Sequence, residues 1–222
     1  MSEVAEVSGD GRSRRWEQHR AQRRAELTHA ARRAIHHGGS DLSMDEIAGA
    51  IGTSKSIVYR YFTDRTGLQT AIGEAVLVDL GDALARATSG AREPHDVIAS
   101  MVRVYLEMIS RSPSVYAFVT RGEADSGTGP MRTLADDAAA LLVPVLAEVL
   151  AASGRPPGLA DTWAGGVIGF VRGAAEVWLQ QTSHDADSRA GALEDLTDTI
   201  TEWVCHGTSP SPVPVSQDHR GR

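Results

Sequence analysis

Apolar residues recur along the chain at spacings of three and four, the period of one face of an α-helix, and no stretch alternates apolar and polar residues as a half-buried strand does. The pattern predicts an all-α fold. About nine helices are expected, near residues 16–37, 44–51, 55–61, 65–88, 94–111, 113–121, 131–153, 158–182 and 188–205. Pro94, Pro113 and Pro130 each suit a first helical turn, where the missing N–H removes no intrahelical bond. Outside these helices the chain is polar. Residues 1–15 are expected as a flexible basic arm, 207–222 as a disordered tail, and the glycine-rich stretch 122–129 as the least ordered internal connection.

The most specific local signal lies between residues 43 and 65. Ser43-Met44-Asp45-Glu46 fits a capping box, in which the serine hydroxyl accepts from an early helix N–H and the glutamate reaches back to the cap. The short helix that follows turns Ile47, Ala48 and Ile51 inward and stops at Gly52, which has no Cβ to oppose a left-handed exit. Thr53 or Ser54 then caps a second short helix, Lys55 to Phe62, and Asp64 caps the next. Short helix, glycine turn, short helix is the pattern of a helix-turn-helix.

Charge changes the picture further. The 222-residue chain has a formal charge of −7, which taken whole argues against nucleic acid. The charge is unevenly spread. Residues 12–70 hold eleven basic against six acidic side chains, whereas the 152 residues after them hold eleven against twenty. A basic segment on an acidic body is what a phosphate-binding module joined to a soluble domain would show. Lys55 is the only lysine among 22 basic residues and lies at the start of the second short helix, where it opposes the helix dipole unless an anion is near. A helix entering the major groove needs donors at its N-terminus for base edges, with hydroxyls or cations beside them for phosphates. Ser54, Lys55, Ser56, Tyr59 and Arg60 supply both kinds.

The ordered set Met44-Asp45-Glu46-Ile47-Ala48, Ile51-Gly52-Thr53-Ser54-Lys55 and Val58-Tyr59-Arg60-Tyr61-Phe62-Thr63-Asp64-Arg65, with Leu68, resembles the TetR family of transcriptional regulators over about Arg23 to Leu68. The resemblance implies a three-helix DNA-binding head, residues 16–64, and a larger body for ligand binding and dimerisation, residues 65–206. It departs from the family at Thr53, usually apolar, at Ile57, usually small or hydroxylic, and at Arg65, usually lysine. Ile57 suits a thymine methyl, and Arg65 preserves a phosphate contact. The expected DNA contacts are Ser43, Ser54, Lys55, Ser56, Tyr59, Arg60 and Arg65, with Arg14 and Arg15 on the arm reaching a minor groove or screening phosphates.

In the body, Gly165, Gly169 and Gly173 stand four residues apart on the eighth helix, and Leu193, Leu196, Ile200 and Val204 form an apolar stripe on the ninth. The resemblance assigns these two helices to a dimeric four-helix bundle; close packing within one chain is the alternative. It also assigns a pocket to the fourth to eighth helices, for which Met101, Tyr105, Met108, Tyr116, Phe118, Trp163, Phe170 and Trp178 are the expected lining, suited to an apolar or amphipathic molecule.

No catalytic or metal-binding set is expected from the sequence. His36 and His37 are adjacent and diverge by about 100° on a helix, Cys205 has no cysteine partner, and no glycine-rich loop ends in Lys-Ser or Lys-Thr. The longest apolar stretch, Ala138 to Ala152, is too short to span a bilayer. The expectation is a cytoplasmic, homodimeric repressor without metal or cofactor, released from a palindromic double-stranded operator by a small effector. A ligand-independent architectural DNA-binding factor, or a helical enzyme or carrier with no DNA target, is the alternative.

Overall fold

A computed structural model of the chain describes residues 7–90, 93–121, 130–181 and 186–207. The described residues form nine α-helices and no strand: α1 (Val7–Gly38), α2 (Met44–Ala50), α3 (Lys55–Phe62), α4 (Arg65–Thr88), α5 (Pro94–Arg111), α6 (Pro113–Thr120), α7 (Pro130–Ala152), α8 (Ala160–Gln181) and α9 (Ala186–Gly207). A 3-10 turn, Pro157–Leu159, precedes α8. The all-α expectation holds, and α2 to α9 lie within two residues of the limits that periodicity and capping predict. The first helix differs. It begins at Val7, so Arg14 and Arg15 are helical rather than on a flexible arm. From Arg14 onward arginine, glutamate, glutamine and alanine favour helix whether or not they are buried and no proline interrupts them, although Gly9 and Gly11 in the first turns do not. From Arg14 to Glu26 no side chain of α1 is buried. The remainder of the expected arm, the connection 122–129 and the tail from 208 lie outside the described residues.

Two compact units divide the chain: the described residues of Met1–Gly81 and Met108–Leu134 form one, and those of Asp82–Glu107 and Ala135–Arg222 the other. In the first unit α1 packs on α2 and α6, and α2 on α3. Its core takes Leu27, Ala31 and Ile35 from one line of α1, Ile47 and Ala48 from α2, Val58 and Phe62 from α3, and Leu68 and Ile72 from α4. Polar contacts brace the loop between α1 and α2. The Arg65 guanidinium donates to the carbonyls of Leu42 (2.6 Å) and Ser40 (2.8 Å), with its carbon 4.6 Å from the Phe118 ring centroid. Gln69 Nε2 donates to the carbonyls of Phe118 (2.8 Å) and Arg121 (2.9 Å), satisfying the exposed end of α6, while Arg121 pairs with Asp41.

The link between α3 and α4 is tight. Thr63 has φ 64° and ψ −55°, and the Asp64 N–H donates to the Phe62 carbonyl at 2.6 Å, a γ-turn of the rare positive-φ kind. A β-branched residue is strained there. Thr63→Gly is therefore expected to raise stability by about 1 kcal/mol, the relief of strain exceeding the added entropy of the unfolded chain. A thermal unfolding midpoint that falls instead would contradict the strained turn.

The second unit is built on long amphipathic helices. Ala160, Ala164, Val167, Val171, Ala175 and Trp178 are the buried line of α8, spaced by three and four. Leu142, Leu146 and Leu150 do the same for α7. The buried Thr197 and Thr201 hydroxyls donate to the carbonyls four residues back, at 2.8 and 2.7 Å, so neither group is buried unsatisfied. Leu193, Ile200 and Val204, expected at a dimer interface, are buried within this unit. Their stripe is the ordinary inward face of an amphipathic helix, and the outer side of α9 carries Glu194, Asp198, Glu202 and Trp203.

Candidate nucleic-acid interface

The capping box at α2 is complete: Glu46 N–H donates to Ser43 Oγ (3.3 Å), and Ser43 N–H and Oγ–H donate to the Glu46 carboxylate (2.8 and 2.7 Å). These bonds, the backbone one foremost, hold the Glu46 carboxyl below its ordinary range. Both Ser43 donors are thus committed to Glu46, which removes Ser43 from the expected DNA contacts. After α2 the chain turns at Gly52, whose φ of 68° favours glycine, and Thr53 N–H donates to the Ala48 carbonyl (3.0 Å). Val58 and Phe62 anchor α3 on α2 and the core. The same rotation leaves Lys55, Ser56, Ile57, Tyr59 and Arg60 exposed, with Ser54 at the cap.

One surface thus gathers five of the residues expected to meet DNA. Ser54 has the extended backbone of an N-cap but makes no side-chain cap bond; its hydroxyl lies 3.0 Å from that of Ser56. Lys55 is not isolated. Its ammonium donates to Asp45 Oδ2 at 2.9 Å and lies 5.6 Å from the Tyr59 ring centroid. Asp45, first by its hydrogen bond and then by its charge, raises the Lys55 pKa and supplies the anion that a cation at a helix N-terminus requires. The capping pattern identifies Glu46 but is silent on Asp45, because the pairing depends on how α2 and α3 cross.

Other expected site residues are not on this surface. Arg65 turns inward as the brace described above, because its planar fork matches two convergent carbonyls better than lysine would. Arg14 and Arg15 are exposed on α1. Among the pocket candidates, Met101, Tyr105, Trp163, Phe170 and Trp178 fall in the second unit, and Met108, Tyr116 and Phe118 in the first. Phe118 is fully buried under Arg65, and Phe170 is exposed, stacked on Trp203 at 4.3 Å between centroids; both leave the pocket set. Aromatic residues at helical spacing look alike in sequence whether they face a cavity, a core or solvent. Burial, foremost, pushes the Cys205 thiol up, which disfavours a reactive thiolate. Among the described residues no group of three or more His, Cys, Asp and Glu is placed to hold a metal, and no helix is long and apolar enough to cross a membrane.

An all-α chain that presents the second helix of a helix-turn-helix with its cations and hydroxyls outward is a DNA-binding protein of that class. Residues 27–72 match the family "Bacterial regulatory proteins, tetR family". An uncharacterised HTH-type transcriptional regulator, found in two strains of Mycobacterium tuberculosis, is 34% identical over 195 residues, covering 86% of this chain and 82% of the relative. The chain belongs to the TetR family: it is a DNA-binding transcriptional regulator and not an enzyme. Solved structures share the fold at lower identity. The fatty acid degradation regulator FadR from Bacillus halodurans has a TM-score of 0.65 at 15% identity, covering 82% of this chain and 94% of its own. RolR in complex with resorcinol has a TM-score of 0.57 at 22% identity, covering 83% and 95%.

Proposed function

We propose that the chain is a homodimeric repressor that holds a two-fold symmetric operator and is released by a small apolar or amphipathic effector. One observation carries the dimer. Cβ atoms built on Gly165, Gly166, Gly169 and Gly173 meet nothing within 4 Å, so this row faces open space rather than another helix of the same chain. Beside it Phe170, Val177 and Trp203 are 39%, 51% and 52% exposed. Several glycines in one helix cost about 1 kcal/mol each against alanine. Close approach of a second copy offsets that cost and removes the apolar surface from water, at about 25 cal/mol per Å².

Within each head Ser54, Lys55, Ser56, Tyr59 and Arg60 meet the major groove, with Ile57 against a thymine methyl, and Arg14 and Arg15 follow the flanking phosphates. The effector class rests on Met101, Tyr105, Trp163 and Trp178, which give the second unit large, partly or wholly buried apolar side chains with a few polar tips. RolR, with its small aromatic ligand, is a precedent of the same fold. An effector that prefers the released state lowers operator affinity by the coupling free energy, typically about 1–3 kcal/mol. The fourth helix, whose residues belong to both units, carries the change.

The test is a titration of DNA flanking the chain's own coding region at two salt concentrations, with and without lipophilic compounds. Lys55→Ala is expected to weaken binding about tenfold or more, and Tyr59→Phe to weaken it less. The oligomeric mass stays as it was. Unchanged isotherms for both variants would remove α3 from the interface.

A further inference from the structure

We propose that Asp45 occupies Lys55 as an internal stand-in for a DNA phosphate, and by doing so sets how sharply the protein separates its operator from other duplex. The inference rests on Lys55 as a DNA contact. Asp45 belongs to the first turn of α2 and Lys55 to the first turn of α3, so the 2.9 Å bond crosses the helix-turn-helix from one short helix to the other. Both ends are fixed. The Ser43–Glu46 box holds the backbone beneath Asp45, the Gly52 turn sets the crossing, and the Tyr59 ring lies against the ammonium from the next turn of α3. Both side chains remain more than half exposed, so duplex DNA can reach the pair.

This placement treats the two kinds of DNA contact differently. An ammonium has three donors, and Asp45 takes one. The N7 and O6 acceptors of a guanine are neutral and can accept the other two while the carboxylate stays in place. A phosphate must share the ammonium with a like charge, or displace it and leave that charge alongside. A lysine already paired with a carboxylate also neutralises less of a phosphate's charge, so one contact releases fewer of the DNA's condensed cations. Asp45 therefore penalises a backbone-only encounter more than one that finds the right base. It is a positioning and specificity residue that acts through Lys55.

The full-length protein is titrated with a duplex enriched from a randomised pool and with a scrambled duplex of equal length, across a salt series, as wild type, Asp45→Asn, Lys55→Met and the double variant. Asp45→Asn is expected to tighten the scrambled duplex about threefold to fivefold and to steepen its salt slope by about one, with a smaller gain on the enriched duplex. The discrimination ratio therefore falls. In the Lys55→Met background the same substitution leaves slope and ratio unchanged, and Asp45→Glu keeps the wild-type slope. Asp45→Ser repeats the measurement should Asp45→Asn melt early. Equal tightening on both duplexes, or the same gain without the lysine, overturns the proposal, since the carboxylate would then simply repel phosphates. Unaltered binding by Lys55→Met alone overturns the assignment of Lys55 itself.

Discussion

Gly67→Ala is expected to open the junction between α3 and α4 and abolish DNA binding. A Cβ at Gly67 would lie far inside the contact distance of the Phe62 carbonyl oxygen and 3.0 Å from its carbonyl carbon. These are backbone atoms, pinned by the Thr63 turn on one side and by the core side chain of Phe62 on the other. The Gly67 N–H also donates to Asp64 Oδ1 at 2.7 Å, the bond that caps α4, so the glycine cannot retreat without uncapping the helix. Overpacking against rigid neighbours costs about 1–3 kcal/mol, and the lost cap about 1 more, a large share of a domain's stability. Gly49→Ala is the control. Its Cβ meets nothing within 4 Å on an exposed face of α2, and alanine gains up to about 1 kcal/mol there. Thermal unfolding of the two variants should move in opposite directions, and a Gly67→Ala protein that melts and binds DNA as wild type would refute the close approach.

Gly169→Gln should leave a folded monomer. The substitution places a long side chain in the middle of the exposed glycine row, where the single chain has room for it, and glutamine favours helix over glycine by about half a kcal/mol or more. Only a second copy would be excluded. With the pair separated, each head binds a half-site alone, and loss of the effective concentration supplied by linkage lowers operator affinity by about two orders of magnitude. Mass from light scattering at micromolar protein separates the outcomes: a dimer of unchanged affinity would move the interface away from α8.

The helices were legible because their signals are local. A capping box, a glycine at a left-handed exit and prolines in first turns act within a few residues, so the limits of α2 to α9 follow from composition and spacing. The start of α1 was not legible, because a solvated helix of arginine, glutamate and glutamine shares its composition with disorder. The candidate interface divides along the same line. Exposure of Lys55, Ser56, Tyr59 and Arg60 follows from Val58 and Phe62 facing the core, four residues apart. What Arg65, Ser43, Phe118 and Phe170 touch depends on partners between three and about fifty residues away, and for the distant ones no periodicity in the chain encodes the choice. Likewise an apolar stripe on α9 announces an amphipathic helix without saying whether its cover is the same chain or another.

Because the exposed Lys55 carries the chain's single side-chain primary amine, an acylating reagent has just one such group to modify, and that group sits on α3. Among side-chain amines, acylation of this protein thus alters Lys55 alone. It erases one positive charge and two of the ammonium's three hydrogens, leaving a single amide N–H and all the guanidinium groups chemically intact.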